Sequence, residues 1–246
     1  NLKTKSEQEI MCGIFAVFGY NETHNRDTLL KCSKTLRHRG PDWNGIYINE
    51  ETKVCVCHER LSIVGVNKGA QPIYDCPYNK NYVLTVNGEI YNYQGLRDIV
   101  LQDRYDFTTD SDCEVILHLY RELGTKFLNM LDGVFCFALY DATENNFLVA
   151  RDPIGVNPLY YAVDLNGAVC VASEIKAIRE WSRTVDIKIF PPGHFMTRSL
   201  EPKRYYNPRW FLGESIPKYN LEVSEEEMCQ KIRHSLTKSV EKRLMA

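Results

Sequence analysis

No apolar run in this sequence approaches the ~20 residues that a helix needs to cross a bilayer. Residues 1–10 are polar and lack the apolar segment of a signal peptide. A large excess of either charge is also missing. The formal net charge is −2 over 246 residues, which gives no reason to expect nucleic acid or an acidic membrane as partner. The fifteen tyrosines come without a basic stripe, so a nucleic-acid platform is not indicated. No C-x-x-C pair occurs, and nothing matches zinc spacing. Cys55-Val56-Cys57-His58 reads better as alternating residues of a strand than as a metal site, and no metal ligands are assigned. The nine cysteines are an odd, scattered set, which points to a reducing compartment, most simply the cytoplasm. Internal repeats and low-complexity tracts are absent. With 44% hydrophobic and 25% charged residues, what remains is a globular chain long enough for a large core.

Short apolar strands dominate the pattern. Gly13–Phe18 is an apolar run, and Gly45–Ile48, Val54–His58, Leu61–Val64 and Tyr82–Val86 are further strand candidates. A loop rich in Asn, Gly and Pro is expected from Asn67 to Asn81, and Asn87-Gly88 reads as a turn pair. Val134–Tyr140 with Asn146–Ala150, and Leu159–Val163 with Ala168–Ala172, read as hairpins whose sheets are covered on both faces. Helices are expected over Arg26–Leu36, Gln94–Leu101 and Glu174–Trp181. Ser111-Asp112-Cys113-Glu114 has the capping-box form and places Asp112 at a helix start, where the dipole favours its carboxylate. Ser224-Glu225-Glu226-Glu227 is a second such box. It opens a helix whose Met228, Ile232, Leu236, Val240 and Leu244 recur at i+4. Many strands with few intervening helices favour an α+β fold of layered antiparallel sheets over an alternating α/β one. The expected division is a leader over residues 1–11, a main domain over 12–200, and a linker with a helix over 201–246.

Cys12 stands behind Met11 at the mouth of the first strand. Taken alone it is a small buried cysteine. Were Met11 removed, Cys12 would carry a thiol and a free α-amine, and an amine of pKa ~8 can take the proton of the thiol beside it.

Five motifs accompany Cys12. They are Arg37-His38-Arg39-Gly40-Pro41-Asp42, His58-Glu59-Arg60-Leu61-Ser62-Ile63-Val64, Asn87-Gly88-Glu89-Ile90-Tyr91-Asn92, Ser111-Asp112-Cys113-Glu114, and Arg151-Asp152-Pro153-Ile154-Gly155 followed by Pro158-Leu159-Tyr160-Tyr161. In this order they resemble the class II glutamine amidotransferase domain of glutamine-hydrolysing asparagine synthetases, from Cys12 to about Arg198 and less specifically beyond. The resemblance implies the N-terminal-nucleophile hydrolase type of fold, layered antiparallel sheets sandwiched by helices, plus a C-terminal linker helix. It implies Cys12 as nucleophile and Asn87 and Gly88 as oxyanion donors. Arg60, Leu61, Ser62, Ile63, Val64, Asn87, Gly88, Glu89 and Asp112 would form the glutamine pocket. The chemistry of each group suits its part. An arginine holds a carboxylate through paired hydrogen bonds, Asp112 and Glu89 offer negative charge to an α-ammonium, and a side-chain amide with a backbone N–H can receive an oxyanion. The Arg37–Asp42 run reads as a loop supporting the site rather than a phosphate site, because no Gly-rich phosphate loop follows it.

The family's ATP-dependent half, with its Ser-Gly-Gly-Leu-Asp-Ser-type loop, has no counterpart in these residues. No cofactor is expected here; ATP and Mg²⁺ belong to the full-length protein, where ammonia from glutamine would convert aspartate to asparagine. Expected partners are glutamine, a C-terminal synthetase domain and, as a further candidate, a second copy of the chain. Two other readings compete: an amidotransferase of the same build with another acceptor, and a silent glutamine-binding module blocked by the leader, in which the Cys12 nitrogen is an amide and not a base.

Overall fold

The computed structural model describes residues 12–61, 69–76, 80–102, 104–208 and 223–244. The chain divides after Tyr205 into two units. In the first, Cys12 leads into β1 (Gly13–Phe18), followed by α1 (Arg26–Lys34), β2 (Trp43–Asn49), β3 (Val54–Arg60), β4 (Ile73–Tyr74) and β5 (Tyr82–Ile90). A single turn, α2 (Tyr93–Gly95), continues as a π-helical stretch over Leu96–Leu101. A 3₁₀ turn over Asp112–Glu114 opens α3 (Val115–Leu123), and then come β6 (Gly133–Asp141), β7 (Asn146–Arg151), β8 (Tyr160–Val163), β9 (Val169–Ala172) and α4 (Ile175–Trp181). The unit ends with the short strands β10 (Lys188–Ile189), β11 (His194–Met196) and β12 (Lys203–Arg204).

The strands form two six-stranded sheets, in the orders β10-β8-β9-β1-β3-β2 and β12-β11-β7-β6-β5-β4. Every recorded pairing is antiparallel. Strand alternation sorts the side chains into layers. Ile14, Ala16 and Phe18 of β1 pack with Val54 and Val56 of β3 against Val83, Cys136, Ala138 and Tyr140 of the second sheet. Phe15, Val17, Cys55 and Cys57 point the other way, onto Leu29 and Cys32 of α1 and Ala177, Ile178 and Trp181 of α4. The outer face of the second sheet, with Leu84, Val86, Phe135 and Phe137, packs on Val115, Ile116 and Leu119 of α3. Helices therefore cover both outer faces of a two-sheet sandwich. The α+β layering expected from the strand pattern is the fold observed, and the nearly continuous apolar runs mark strands buried on both sides.

Three local expectations are corrected. Asn87-Gly88 is not a turn: β5 runs through it to Ile90, paired residue for residue with β6 from Tyr82↔Asp141 to Ile90↔Gly133. Gly88 is needed there for close approach instead. Its φ is +153°, and a Cβ would lie 2.1 Å from the Val134 carbonyl oxygen and 2.6 Å from the Phe135 Cα. Pairing with the long β6 overrides the local turn preference of Asn-Gly. The capping box at Ser111 is only half formed. Ser111 Oγ accepts from Cys113 N at 3.3 Å, but the Glu114 carboxylate turns away to accept from the backbone N–H groups of Thr108 and Thr109, both at 2.6 Å. The loop expected over 67–81 carries the short strand β4. Residues 62–64 of the strand expected at Leu61–Val64 lie outside the described residues, as do residues 1–11.

The second unit contains α5 (Glu225–Arg243). Its capping box is complete: Ser224 Oγ accepts from Glu227 N at 3.3 Å, and Glu227 Oε2 accepts from Ser224 N at 3.2 Å. Ile232, Leu236, Val240 and Leu244 are exposed along this helix.

Candidate active site

Because β1 and β3 run antiparallel with Gly13 opposite Glu59, the start of one and the end of the other meet. Cys12 and Arg60 therefore come to the same end of the sandwich. From the facing sheet, β5 brings Asn87, Gly88 and Glu89, and the 3₁₀ turn brings Asp112. Together with Leu61, Gln71, Cys113 and Asn157, these residues line a cleft of ≈ 230 Å³. Arg60, Leu61, Asn87, Gly88, Glu89 and Asp112 thus share this cleft with Cys12. Ser62, Ile63 and Val64 lie outside the described residues.

The Cys12 thiol touches the chain that leaves β3. Its Sγ receives Leu61 N–H at 3.4 Å and points to Leu61 O at 3.6 Å. Arg39 Nε donates to the Cys12 carbonyl at 3.1 Å, and its NH1 reaches Glu174 Oε1 at 3.2 Å. Burial pushes the thiol pKa up; the Leu61 hydrogen bond and the charges of Arg60 and Arg39 pull against it. A thiol held up in this way needs a base to become a nucleophile. No histidine lines the cleft among the described residues. His58, two residues before Arg60, is fully buried with Nδ1 at 3.0 Å from Thr85 Oγ1. Burial first, and the Arg60 charge second, lower its pKa to about 3, so it stays neutral and takes no proton near neutral pH.

The remaining Arg37–Asp42 motif is committed to protein partners. Arg37 NH1 reaches Glu59 Oε2 at 3.2 Å, and that buried carboxylate also accepts from Ser33 Oγ at 2.8 Å. His38 Nε2 lies 2.8 Å from Glu174 Oε1. The loop holds the neighbourhood of Cys12 together, which fits the supporting role read from the sequence.

The cleft wall carries groups of different chemistry. Near Asn87, the side-chain Nδ2 is buried and has no hydrogen-bond partner among the described residues, and the neighbouring Gly88 brings its backbone to the cleft wall. This is what an oxyanion site needs before its substrate arrives. Arg60 and Asp112 also line the cleft, both buried. Asp112 Oδ2 accepts from Ile90 N at 2.6 Å; burial nevertheless dominates and raises the carboxyl pKa. A buried guanidinium and a buried carboxylate in one small cleft match a zwitterion bearing both charges. Among the described residues, no group of three or more His, Cys, Asp or Glu side chains is placed to hold a metal ion.

Two contributors were not foreseen from the sequence. Gln71 clasps β5 by its side-chain amide: Val86 N donates to Oε1 at 2.8 Å and Nε2 donates to Val86 O at 3.0 Å. Asn157 donates through Nδ2 to the Asn87 carbonyl at 2.8 Å. Asn157 falls in the gap between the quoted Arg151–Gly155 and Pro158–Tyr161 stretches, and its role depends on a contact seventy residues away.

The family described as "Glutamine amidotransferase domain" matches residues 11–206. The chain is 45% identical over 240 residues to the probable asparagine synthetase [glutamine-hydrolyzing] of Dictyostelium discoideum, which covers 96% of this chain and 42% of that protein. It is 45% identical over 239 residues to asparagine synthetase B [glutamine-hydrolyzing] of Escherichia coli (strain K12), covering 96% of this chain and 41% of that protein. The chain therefore spans about two fifths of the length of these curated relatives. Among solved structures it is similar to the allosteric regulatory enzyme of purine biosynthesis, with a TM-score of 0.63 and 24% identity over 76% of this chain and 46% of that one. It is also similar to the glutamine phosphoribosylpyrophosphate amidotransferase of B. subtilis, with a TM-score of 0.62 and 23% identity over 76% of this chain and 47% of that one. These two likenesses are of fold.

Proposed function

The chain belongs to the glutamine amidotransferase domain family, and from that membership we propose that it is the glutaminase half of an asparagine synthetase. The observation that carries the site reading is the meeting of Cys12, Arg60, Asn87, Gly88, Glu89 and Asp112 around one ≈ 230 Å³ cleft.

In this reading Arg60 grips the α-carboxylate of glutamine, and Asp112 with Glu89 takes its α-ammonium; Leu61 completes the described wall. The side-chain amide then lies between Cys12 and Asn87. With Cys12 as the N-terminal residue, its α-amine takes the thiol proton. The sulfur forms a bond to the amide carbon, and the carbonyl electron pair moves onto oxygen, where Asn87 Nδ2 and Gly88 N–H receive it. The same proton passes to the amide nitrogen, the C–N bond breaks, and ammonia leaves a glutamyl thioester. Water adds to the thioester and releases glutamate and the thiol.

Residues 201–246 are read as the linker and first helix of the synthetase domain, whose packing would cover the exposed face of α5. That domain would use ATP and Mg²⁺ to activate aspartate for attack by ammonia, and no step in the cleft passes through either. All nine cysteines are free thiols, which supports a cytoplasmic setting. No helix among the described residues is long and apolar enough to cross a membrane.

The test is glutamate and ammonia release from glutamine by the chain processed to begin at Cys12. The Arg60→Lys variant keeps the charge and loses the fork, so the KM for glutamine should rise at least ~10-fold with kcat largely kept. Absence of release from correctly processed wild type would leave a silent binding module; an unchanged KM in Arg60→Lys would remove Arg60 from the pocket.

A further inference from the structure

The geometry points to a role for the Arg151–Pro158 motif as a brace for the oxyanion site, acting through Asn157 as a positioning residue; this rests on the glutaminase reading above. Two buried ionic side chains set the shape of the loop. The Asp152 carboxylate accepts from the backbone N–H groups of Ile154 at 2.9 Å, Gly155 at 2.7 Å, Val156 at 3.1 Å and Phe135 at 3.3 Å. The Arg151 guanidinium donates to the carbonyls of Asn157 at 2.8 Å, Phe190 at 2.7 Å and Gly155 at 2.8 Å. Gly155 has a φ of +73°, which lets the loop fold back over that guanidinium. Charge-assisted bonds of this number hold a loop rigidly.

What this frame presents is Asn157, with no exposed surface, on the wall of the cleft. Its Nδ2 donates to the Asn87 carbonyl at 2.8 Å. Donation to a carbonyl fixes the orientation of the amide, which leaves Oδ1 buried and without a partner among the described residues. A packing role does not account for that. A leucine would fill the same volume without an unmatched buried acceptor, which is destabilising. The asparagine is explained if holding the Asn87 backbone matters more than local stability. Asn87 carries the unpartnered Nδ2 assigned to the oxyanion, and an oxyanion donor acts only if it is aimed before the charge develops. The hydrogen bond spans the gap between Asn87 of β5 and the loop after β7, so it ties the donor to a frame outside its own strand.

The experiment is a double-mutant cycle with glutamine as substrate, in chains whose N-terminus is verified as Cys12: wild type, Asn157→Leu, Asn87→Ala and the double variant. Asn157→Leu should fold at least as stably as wild type while lowering kcat about tenfold, less than the ~100- to 1000-fold lost with an oxyanion donor itself. Its KM should stay within about twofold, because the substrate's charged ends are untouched. In the Asn87→Ala background the same substitution should change kcat by less than about twofold, since the residue being positioned is gone. Losses that multiply in the double variant, a rise in KM instead of a fall in kcat, or a fully active Asn157→Leu enzyme would each overturn the brace. The Asn157→Ala variant repeats the cycle with a smaller side chain and should lose kcat to the same degree; retention of wild-type kcat would count against the brace equally. Inactive wild type would overturn the glutaminase reading and this inference with it, whereas active wild type with multiplying losses overturns this inference alone.

Discussion

Lowering the pH from 7 to 5 should cost the folded domain about 2 kcal/mol through His58 alone. The imidazole is fully buried between the sheets, with Nδ1 against Thr85 Oγ1 at 3.0 Å and Nε2 without a partner among the described residues. Burial holds its pKa at about 3, against an ordinary value of 6.5 in the unfolded chain. The unfolded state therefore binds a proton as the pH drops below 6.5 and the folded state does not. Stability from this group is intact above 6.5 and is lost progressively from there down to about 3, which places pH 5 well inside the window. Other groups titrate over the same range, so the measurement is a difference. Urea unfolding of wild type and of the His58→Gln variant is followed at pH 7 and pH 5. Gln keeps a polar side chain beside Thr85 and does not titrate. Wild type should lose about 2 kcal/mol more than the variant between the two pH values, whatever the variant's absolute stability. Equal losses would mean that His58 titrates normally in the folded state. The consequence would reach the chemistry, because a normally titrating imidazole near Arg60 would be a rival to the Cys12 amine as base.

Two substitutions test the walls of the cleft. Asp112→Asn removes a buried charge and should weaken glutamine binding by roughly 2–4 kcal/mol, read as a rise in KM, while an analogue without the α-amino group should be handled equally by both forms; a selective loss that failed to appear would take Asp112 out of ammonium recognition. Gly88→Ala puts a Cβ 2.1 Å from the Val134 carbonyl oxygen at a φ of +153°, so it should either shift β5 or lower the melting temperature, with kcat falling in both cases; a variant with wild-type kcat and stability would show that the strand tolerates a side chain at that point.

The two-sheet architecture was legible because burial on both faces leaves nearly continuous apolar strands such as Phe135–Tyr140, and because the turns between them carry their usual residues. Cys12 and Arg60 were legible through the motifs that carry the family resemblance, whereas Asp112 also had a local signal in the Ser111–Glu114 box. Asn87-Gly88 had a strong local signal of the wrong kind. Its backbone is decided by pairing with β6, which no window of adjacent residues contains. Glu114 behaves in the same way, giving up its cap position to accept four hydrogen bonds from Thr108 and Thr109. Asn157 was hidden more thoroughly, since its partner is a carbonyl, and a carbonyl is present at every residue.

The central claim is that the Cys12 α-amine is the base of the reaction. Its most direct test compares the glutaminase rate of two forms, one beginning at Asn1 and one at Cys12, each confirmed by intact mass. In the longer form the Cys12 nitrogen is an amide and cannot accept the thiol proton, while the cleft is otherwise unchanged in composition. That form should bind glutamine and hydrolyse it slowly or not at all. The form beginning at Cys12 should turn over, with a pH dependence reporting an amine of pKa ~8. Equal rates from the two verified forms would contradict the account and require another base.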